Sequence, residues 1–417
     1  MSVAARSPAT RLALLFGFIY FVQGVGEPTE GLIAQPTRSL LRSWGLGADE
    51  IAGFMLIVGL PWYLKPLLGL LSDFVPILGS RRRSYLLLAT LMAGIGLMLA
   101  GTLDLPPGSV GTLLLVLLVP CAGVALADVV ADALMVEKGQ PLGLTGRLQS
   151  VQWASLYAAG ILTGVAGGLL SQRGAQQLGF VLAGAFSLLS FFVAWRVLDR
   201  EPPARLDPSQ ARETLRQTLS AIRAGYILPV ALFLILLNFN PFSADVLYVH
   251  LTGALGISET LVGTMYSVGS AAAVVGCFVY GWFSPRFRVR SIIHISLVAM
   301  LISSLSYFAL SGWLSALVIA GAVGFAYMFT TLAQLDLAAR YCPPASAGTV
   351  FALLMALSNL SYSLGSRVGG GWYESWSARL GAERAFDSLV SIGAACTAAC
   401  WLVVLMLPRG DAGAEAR

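Results

Sequence analysis

The chain has 417 residues, 57% of them hydrophobic and only 11% charged, with a formal net charge of +5. A soluble domain carries about 25% charged residues, so a large water-soluble enzyme is excluded. Apolar runs of about 20 residues, the length a helix needs to cross a bilayer, recur along nearly the whole chain. They are continuous rather than alternating, which excludes a membrane β-barrel.

The composition therefore predicts an all-α membrane protein, with twelve transmembrane helices in two six-helix bundles. The first span, 12–34, follows Arg6 and Arg11. More spans come after it, so it reads as a helix rather than a cleaved signal peptide. It holds Gln23 and brings Glu27, Pro28 and Glu30 to its outer end. The second span, 50–72, contains Lys65, one of only two lysines in the chain. It ends at Asp73, and Arg81, Arg82 and Arg83 follow. The third, 84–102, has no charge within the apolar run. The fourth, 110–136, carries Asp128 and Asp132; the fifth, 146–170, has Gln149, Gln152 and Tyr157 with glycines at 160, 164 and 168. That four-residue glycine spacing predicts close helix approach. The sixth, 178–198, is again uncharged at depth.

Residues 199–223 are the longest polar stretch and read as a wet linker with one surface helix. The expected domains are thus 1–198, the linker, and 224–417. The seventh span, 225–252, has Asn238, Asn240 and Pro241 at its middle, which predicts a broken, polar wall, and then Asp245. The eighth, 260–284, has Tyr266. The ninth, 291–311, holds His294, expected to be a packing or surface histidine. The tenth, 313–339, carries Asp336, and the eleventh, 347–371, carries Asn359, Gly365, Arg367 and Gly369. The twelfth, 386–407, is apolar. The five cysteines have no metal-ligand spacing and read as small packing residues.

Basic residues fix the expected orientation. With the N-terminus inside, nineteen of the 26 lysines and arginines fall on inner segments and five on outer ones. This predicts both termini in the cytoplasm, with a bacterial inner membrane as the setting. The halves also echo each other: RRRSYLLLATLMAG (81–94) answers to RVRSIIHISLVAM (288–300), and Asp132 to Asp336. Internal repeats of this kind belong to the construction of secondary transporters.

An ionisable group at bilayer depth costs at least a few kcal/mol and needs a partner, a cavity or a purpose. Here such groups avoid spans three, six, nine and twelve, which would serve as outer supports. The other spans would line a central path. Lys65 lies eight residues above Asp73, about 12 Å along a helix, and Asp128 nine above Glu137, about 13 Å. The two are therefore expected at one height. They either form a buried ion pair holding helices two and four together or contact substrate, and the two roles are compatible. Lys65, Asp128, Arg367, Gln152, Tyr157, Tyr266, Asn238 and Asn359 are the candidate substrate contacts. Asp128, Asp132, Glu27, Asp245 and Asp336 are the candidate proton carriers. Asp73 with Arg81, Arg82 and Arg83 reads as a cytoplasmic gate. Pro285 stands where the second half would need the matching aspartate.

No metal site, cofactor or nucleic-acid partner is expected. No GxxxxGK[ST] loop is present for a nucleotide-driven pump, and the two histidines, in separate segments, argue against a metal-dependent intramembrane enzyme. A receptor would need a soluble output domain, and the termini are short. One chain supplies both bundles, so a monomer suffices, with lipid around it.

LPWYLKPLLGLLSDFVPILGSRRRSYLLL (60–88) contains PWxxKPxxGxxSD followed by an RRRSY run. With YFVQG (20–24), ADVVADALMVEK (127–138), GRLQSVQW (146–153) and GTVFALLMALSNLSYSLG (348–365), it resembles the folate–biopterin transporter family of the major facilitator superfamily. The resemblance covers both halves and implies alternating access and proton-linked uptake of folates or pterins. Relatives of similar sequence carry S-adenosylmethionine, and more distant ones muropeptides or acetyl-coenzyme A. In such a site, Lys65 and Arg367 would hold carboxylates, Asp128 would accept from the ring's N–H groups, and Trp62, Tyr157 or Tyr266 would stack on it.

Overall fold

The computed structural model describes residues 8–198, 227–342 and 347–406, with isolated positions between 209 and 220. The linker lies for the most part outside the described residues, as do the outermost residues of both termini. The described chain is helical, with a single isolated β-bridge between Ile77 and Ser80.

Nine crossings are long helices that match their predicted spans. In the first half these are α6 (Arg83–Thr102), α7 (Val110–Gly139), α8 (Thr145–Gln172) and α9 (Gln176–Val197). In the second half they are α12 (Glu259–Phe283), α13 (Val289–Leu305), α14 (Trp313–Tyr341), α15 (Ala347–Leu380) and α16 (Ala382–Met406). Local chemistry sets their ends. Gly174 and Gly381 stop α8 and α15 at positive φ, a conformation that costs glycine little. The Ser258 hydroxyl accepts the Leu261 N–H at the start of α12.

The remaining three crossings are broken. The first runs as α1 (Pro8–Gly26) and α2 (Ala34–Ser43). Here the structure corrects the sequence expectation: Glu27, Pro28 and Glu30 lie between two helical segments of one crossing, not at its outer end. Pro28 cannot extend the hydrogen-bond ladder. The chain turns tightly, with the Leu32 amide donating to the Val25 carbonyl at 3.0 Å, before α2 continues along α8 and α9. The second crossing is α3 (Ala48–Val58), α4 (Leu60–Tyr63) and α5 (Lys65–Phe74), with Pro61 and Pro66 restarting the last two. The seventh is α10 (Ile227–Asn238) and α11 (Ala244–Val249), ending in a wider turn at His250–Ala254. Its break falls at the predicted Asn238–Pro241 stretch.

Within the first half α6 packs on α7 and α9, and α1 on α8; within the second α12 and α13 pack on α14, and α16 on α15. Across the halves α8 meets α12, and α3 meets α15. The predicted glycine stripe makes the first of these contacts: Gly160 faces Ser270, Gly164 faces Ser267, and Gly168 faces Gly263. A methyl group on Gly263 would sit 2.8 Å from Gly168 Cα and closer still to the Gly164 carbonyl. Gly281, on the same helix, has open space around it. Gly263→Ala is therefore expected to destabilise the protein by about 1–3 kcal/mol through overpacking, and Gly281→Ala to leave it unchanged. Melting temperatures in detergent check this.

Leucine, phenylalanine and tryptophan side chains on α9, such as Phe192 and Trp195, and Ile302 and Leu405 on the second half face outward. They suit contact with lipid, as expected for supporting helices. The expectation needs one correction: α13 also turns Met300, Ser303 and Ser304 toward an internal cavity.

Candidate substrate site

Lys65 is the first residue of α5, placed there by the Leu64–Pro66 restart. Its ammonium pairs with Asp128 on α7 and lies 4.3 Å from the centre of the Trp62 ring, within cation–π range. The Asp128 side chain is only 6% exposed and that of Lys65 is 20% exposed. Gln23 on α1 donates to the other Asp128 oxygen at 2.6 Å. One turn along α7, Asp132 accepts from Tyr20 at 2.5 Å and from Gln152 at 3.0 Å. Crossings one, two, four and five thus meet in a single polar network. It joins the predicted Lys65, Asp128, Asp132 and Gln152, and adds Tyr20.

The breaks in crossings one and seven occupy corresponding positions of the two halves. Interrupted helices at such positions mark the binding region of many transporters. In the first break Glu27 is buried and accepts four hydrogen bonds, from the Thr29 and Glu30 amides, the Thr29 hydroxyl and the Trp62 indole. It caps the turn, so its lone pairs are occupied by the fold. Just beyond, Arg38 on α2 donates to Asp245 on α11 at 2.7 Å, and Ser366 donates to the second Asp245 oxygen at 2.7 Å. Asp245 therefore ties the segments following the two breaks together. Sequence reasoning missed Arg38 because it placed that residue in an outer wet segment.

In the second half, a cavity opens between the broken seventh crossing, α13, α14 and α15. Its polar wall includes Asn238, Asn240, Thr330, Thr331 and Gln334, and none of the lining residues is charged. Asn238 donates to Gln334 at 3.0 Å. Tyr327, Thr330, Thr331 and Gln334 repeat at i, i+3, i+4 and i+7 on α14, a polar stripe legible as one helix face. That signal was available in the sequence. Tyr327 and Tyr362 also line the cavity. Tyr157 and Tyr266 lie within electrostatic range of Tyr327.

Other candidates fall elsewhere. Arg367 pairs with Asp49 at the start of α3 and does not join Lys65. Asp336 pairs with Arg340 at 3.3 Å near the end of α14, partly exposed, and stands apart from the Lys65 network. Asn359 is half-buried on α15. His294 accepts from the Trp401 indole at 3.0 Å, the packing role expected. At the Asp73 end, Arg82 bridges Asp73 and Glu137, each at 2.7 Å. Partial burial works against the Arg82 charge, but the hydrogen bond to Glu137 and the nearby Asp73 outweigh it, and the guanidinium is held more firmly protonated. Arg83 donates to the Trp195 and Leu198 carbonyls at the end of α9. Arg82 and Arg83 thus tie helix ends within the first half. The repeat is asymmetric here: Arg286 lies against the Trp282 ring instead.

The comparisons with known proteins agree with this architecture. The BT1 family model matches residues 29–412. The folate-biopterin transporter of Synechocystis is 31% identical over 370 residues, covering 84% of this chain and 72% of that protein. A probable folate-biopterin transporter of Arabidopsis thaliana, numbered 4, is 26% identical over 475 residues and 95% of each chain. Among solved structures, the nucleoside transporter NupG superposes with a TM-score of 0.71 at 12% identity, over 96% of this chain and 99% of that one. The D-xylose-proton symporter gives 0.68 at 15%, over 94% and 97%. These two likenesses establish the major facilitator fold. Matched by the family model over nearly its whole length and by a named transporter at 31% identity, this multi-pass helical chain is a membrane transporter and not an enzyme: it belongs to the BT1 family.

Proposed function

We propose that the protein is a secondary active transporter of folate- or pterin-type solutes, working by alternating access with a proton as coupling ion. The observation that carries this reading is the buried Lys65–Asp128 pair inside a four-helix polar network. The network holds one cation and two carboxylates. A solute carboxylate competes with Asp128 for Lys65, and one proton taken up by the displaced carboxylate pair offsets the charge that the solute brings. Folates bring such a carboxylate on their glutamate tail, and the similarity to proteins named for folate and biopterin supports that substrate class.

In this reading residues 1–198 and 224–417 move as two bundles about the linker, both termini face the cytoplasm of a bacterial cell, and a monomer is the working unit. Arg82 with Asp73 and Glu137 steadies the cytoplasmic ends of the first bundle. The Arg38–Asp245 pair and the Arg367–Asp49 pair link the bundles at the opposite end.

The test is a thermal-shift screen of purified protein against folates, pterins, S-adenosylmethionine and muropeptides. A ligand at 100 times its Kd stabilises by about 2.7 kcal/mol. Folates and pterins are expected to raise the melting temperature in proportion to the logarithm of concentration. Stabilisation by S-adenosylmethionine or muropeptides alone would reassign the substrate.

A further inference from the structure

Glu30 is the one carboxylate of the first break that the fold does not use. Its neighbour Glu27 accepts four hydrogen bonds, and the Glu30 amide donates one of them. The Glu30 side chain is open to solvent. Its carboxylate receives no hydrogen bond recorded among the described residues.

The solvent it meets is internal. Glu30 lies within electrostatic range of Tyr157 on α8, Tyr266 on α12, Tyr327 on α14 and Tyr362 on α15. Those helices come from both halves. Tyr266 and Tyr327 are themselves 44% and 43% exposed, although each sits well inside its crossing. Tyr327 and Tyr362 also belong to the wall of the uncharged cavity of the second half. The carboxylate is therefore within electrostatic range of tyrosines from both halves, and two of these, Tyr327 and Tyr362, line the neutral polar chamber. Arg38 is the nearby cation, but its guanidinium is committed to Asp245 and the Thr29 carbonyl.

A carboxylate kept at membrane depth without a dedicated partner is there for function. Its two oxygens accept two parallel N–H donors, and a charged acceptor makes such bonds short and strong. Tyrosine faces and edges suit a flat ring. An anionic group would be repelled, so the carboxylate tail of a substrate cannot be what Glu30 holds.

We propose that Glu30 is a specificity-determining residue that reads the substrate's heterocycle: it accepts the adjacent ring N–H and exocyclic amino group of a 2-aminopyrimidinone ring, held among Tyr266, Tyr327 and Tyr362. The assignment rests on the folate and pterin reading above. It places the ring at Glu30 rather than at Asp128 and leaves the tail to Lys65.

The experiment measures binding to purified protein of pterin, of lumazine, in which a carbonyl replaces the 2-amino group, and of folate. Wild type is expected to prefer pterin to lumazine by about ten- to a hundredfold, the range of a charge-assisted hydrogen bond. Glu30→Gln is expected to weaken pterin and folate by a similar factor and to erase the pterin–lumazine preference, with an unchanged melting temperature. Glu30→Asp should restore part of the preference. A Glu30→Gln protein that keeps the wild-type preference overturns the assignment. So does one that keeps it while losing only pH-driven accumulation, because Glu30 would then be a proton carrier. If wild type binds S-adenosylmethionine but neither folate nor pterin, the folate and pterin reading falls and takes this assignment with it. Selective loss in the variant alone leaves the parent reading standing.

Discussion

Lys65→Ala is expected to lower uptake by about two orders of magnitude while the protein still inserts and folds. A hydrogen bond to a charged group contributes about 1.5–3 kcal/mol, and 2.7 kcal/mol corresponds to about a hundredfold. Lys65 is the cation of the four-helix network, and Asp128 is its partner. Removing one member of a buried pair leaves an uncompensated charge, which costs about 3–5 kcal/mol when burial is complete. The cost here falls toward the low end, because the Lys65 side chain is 20% exposed and Gln23 still donates to Asp128. The double change Lys65→Ala with Asp128→Asn removes the stranded charge. It should regain melting temperature without regaining uptake. That separation distinguishes a residue that contacts substrate from one that only holds crossings two and four together. Uptake at the wild-type rate in Lys65→Ala would remove Lys65 from the transport site.

The second large effect concerns coupling. Asp128 and Asp132 lie one turn apart on α7, and a single lysine serves both. Like charges sharing a site disfavour double ionisation, so this pair is where a transported proton is expected to reside. Asp132→Asn keeps the Lys65–Asp128 contact and removes one carboxylate. It should therefore retain counterflow exchange of labelled solute while losing pH-dependent accumulation. Wild-type uptake should rise as external pH falls, and the variant's profile should be flat. Asp128→Asn should flatten the profile too, with an added loss of rate because Lys65 loses its partner. If both variants reproduce the wild-type pH curve, the coupling proton sits elsewhere. Asp245 is a poor alternative in geometric terms, since Arg38 and Ser366 occupy both of its oxygens. Asp336 pairs with Arg340 away from the network.

The sequence by itself determined the crossings and the height of the charges. Twenty-residue apolar runs leave a chain no other place than the bilayer, and a helix rises by a constant step, so counting from Asp73 and Glu137 placed Lys65 and Asp128 at one height. Glycines at 160, 164 and 168 announced a close helix contact because only a missing side chain permits one, although the partner helix was not named. Pro241 between two asparagines announced the break in crossing seven.

The tertiary structure decided what each charge does. Arg38 and Asp245 are 207 residues apart, and nothing local says that one neutralises the other. Arg367 reads as an unpaired cation within a span, and only the fold shows Asp49 as its partner. Glu27 and Glu30 read as equivalent carboxylates near a helix end. In the fold, Glu27 is occupied by the turn it caps, and Glu30 is exposed, within electrostatic range of tyrosines on four helices. Helical period and hydropathy act over a few residues and are written in the chain. Whether a buried charge is paired depends on which distant helix turns its polar face toward it, and only packing fixes that.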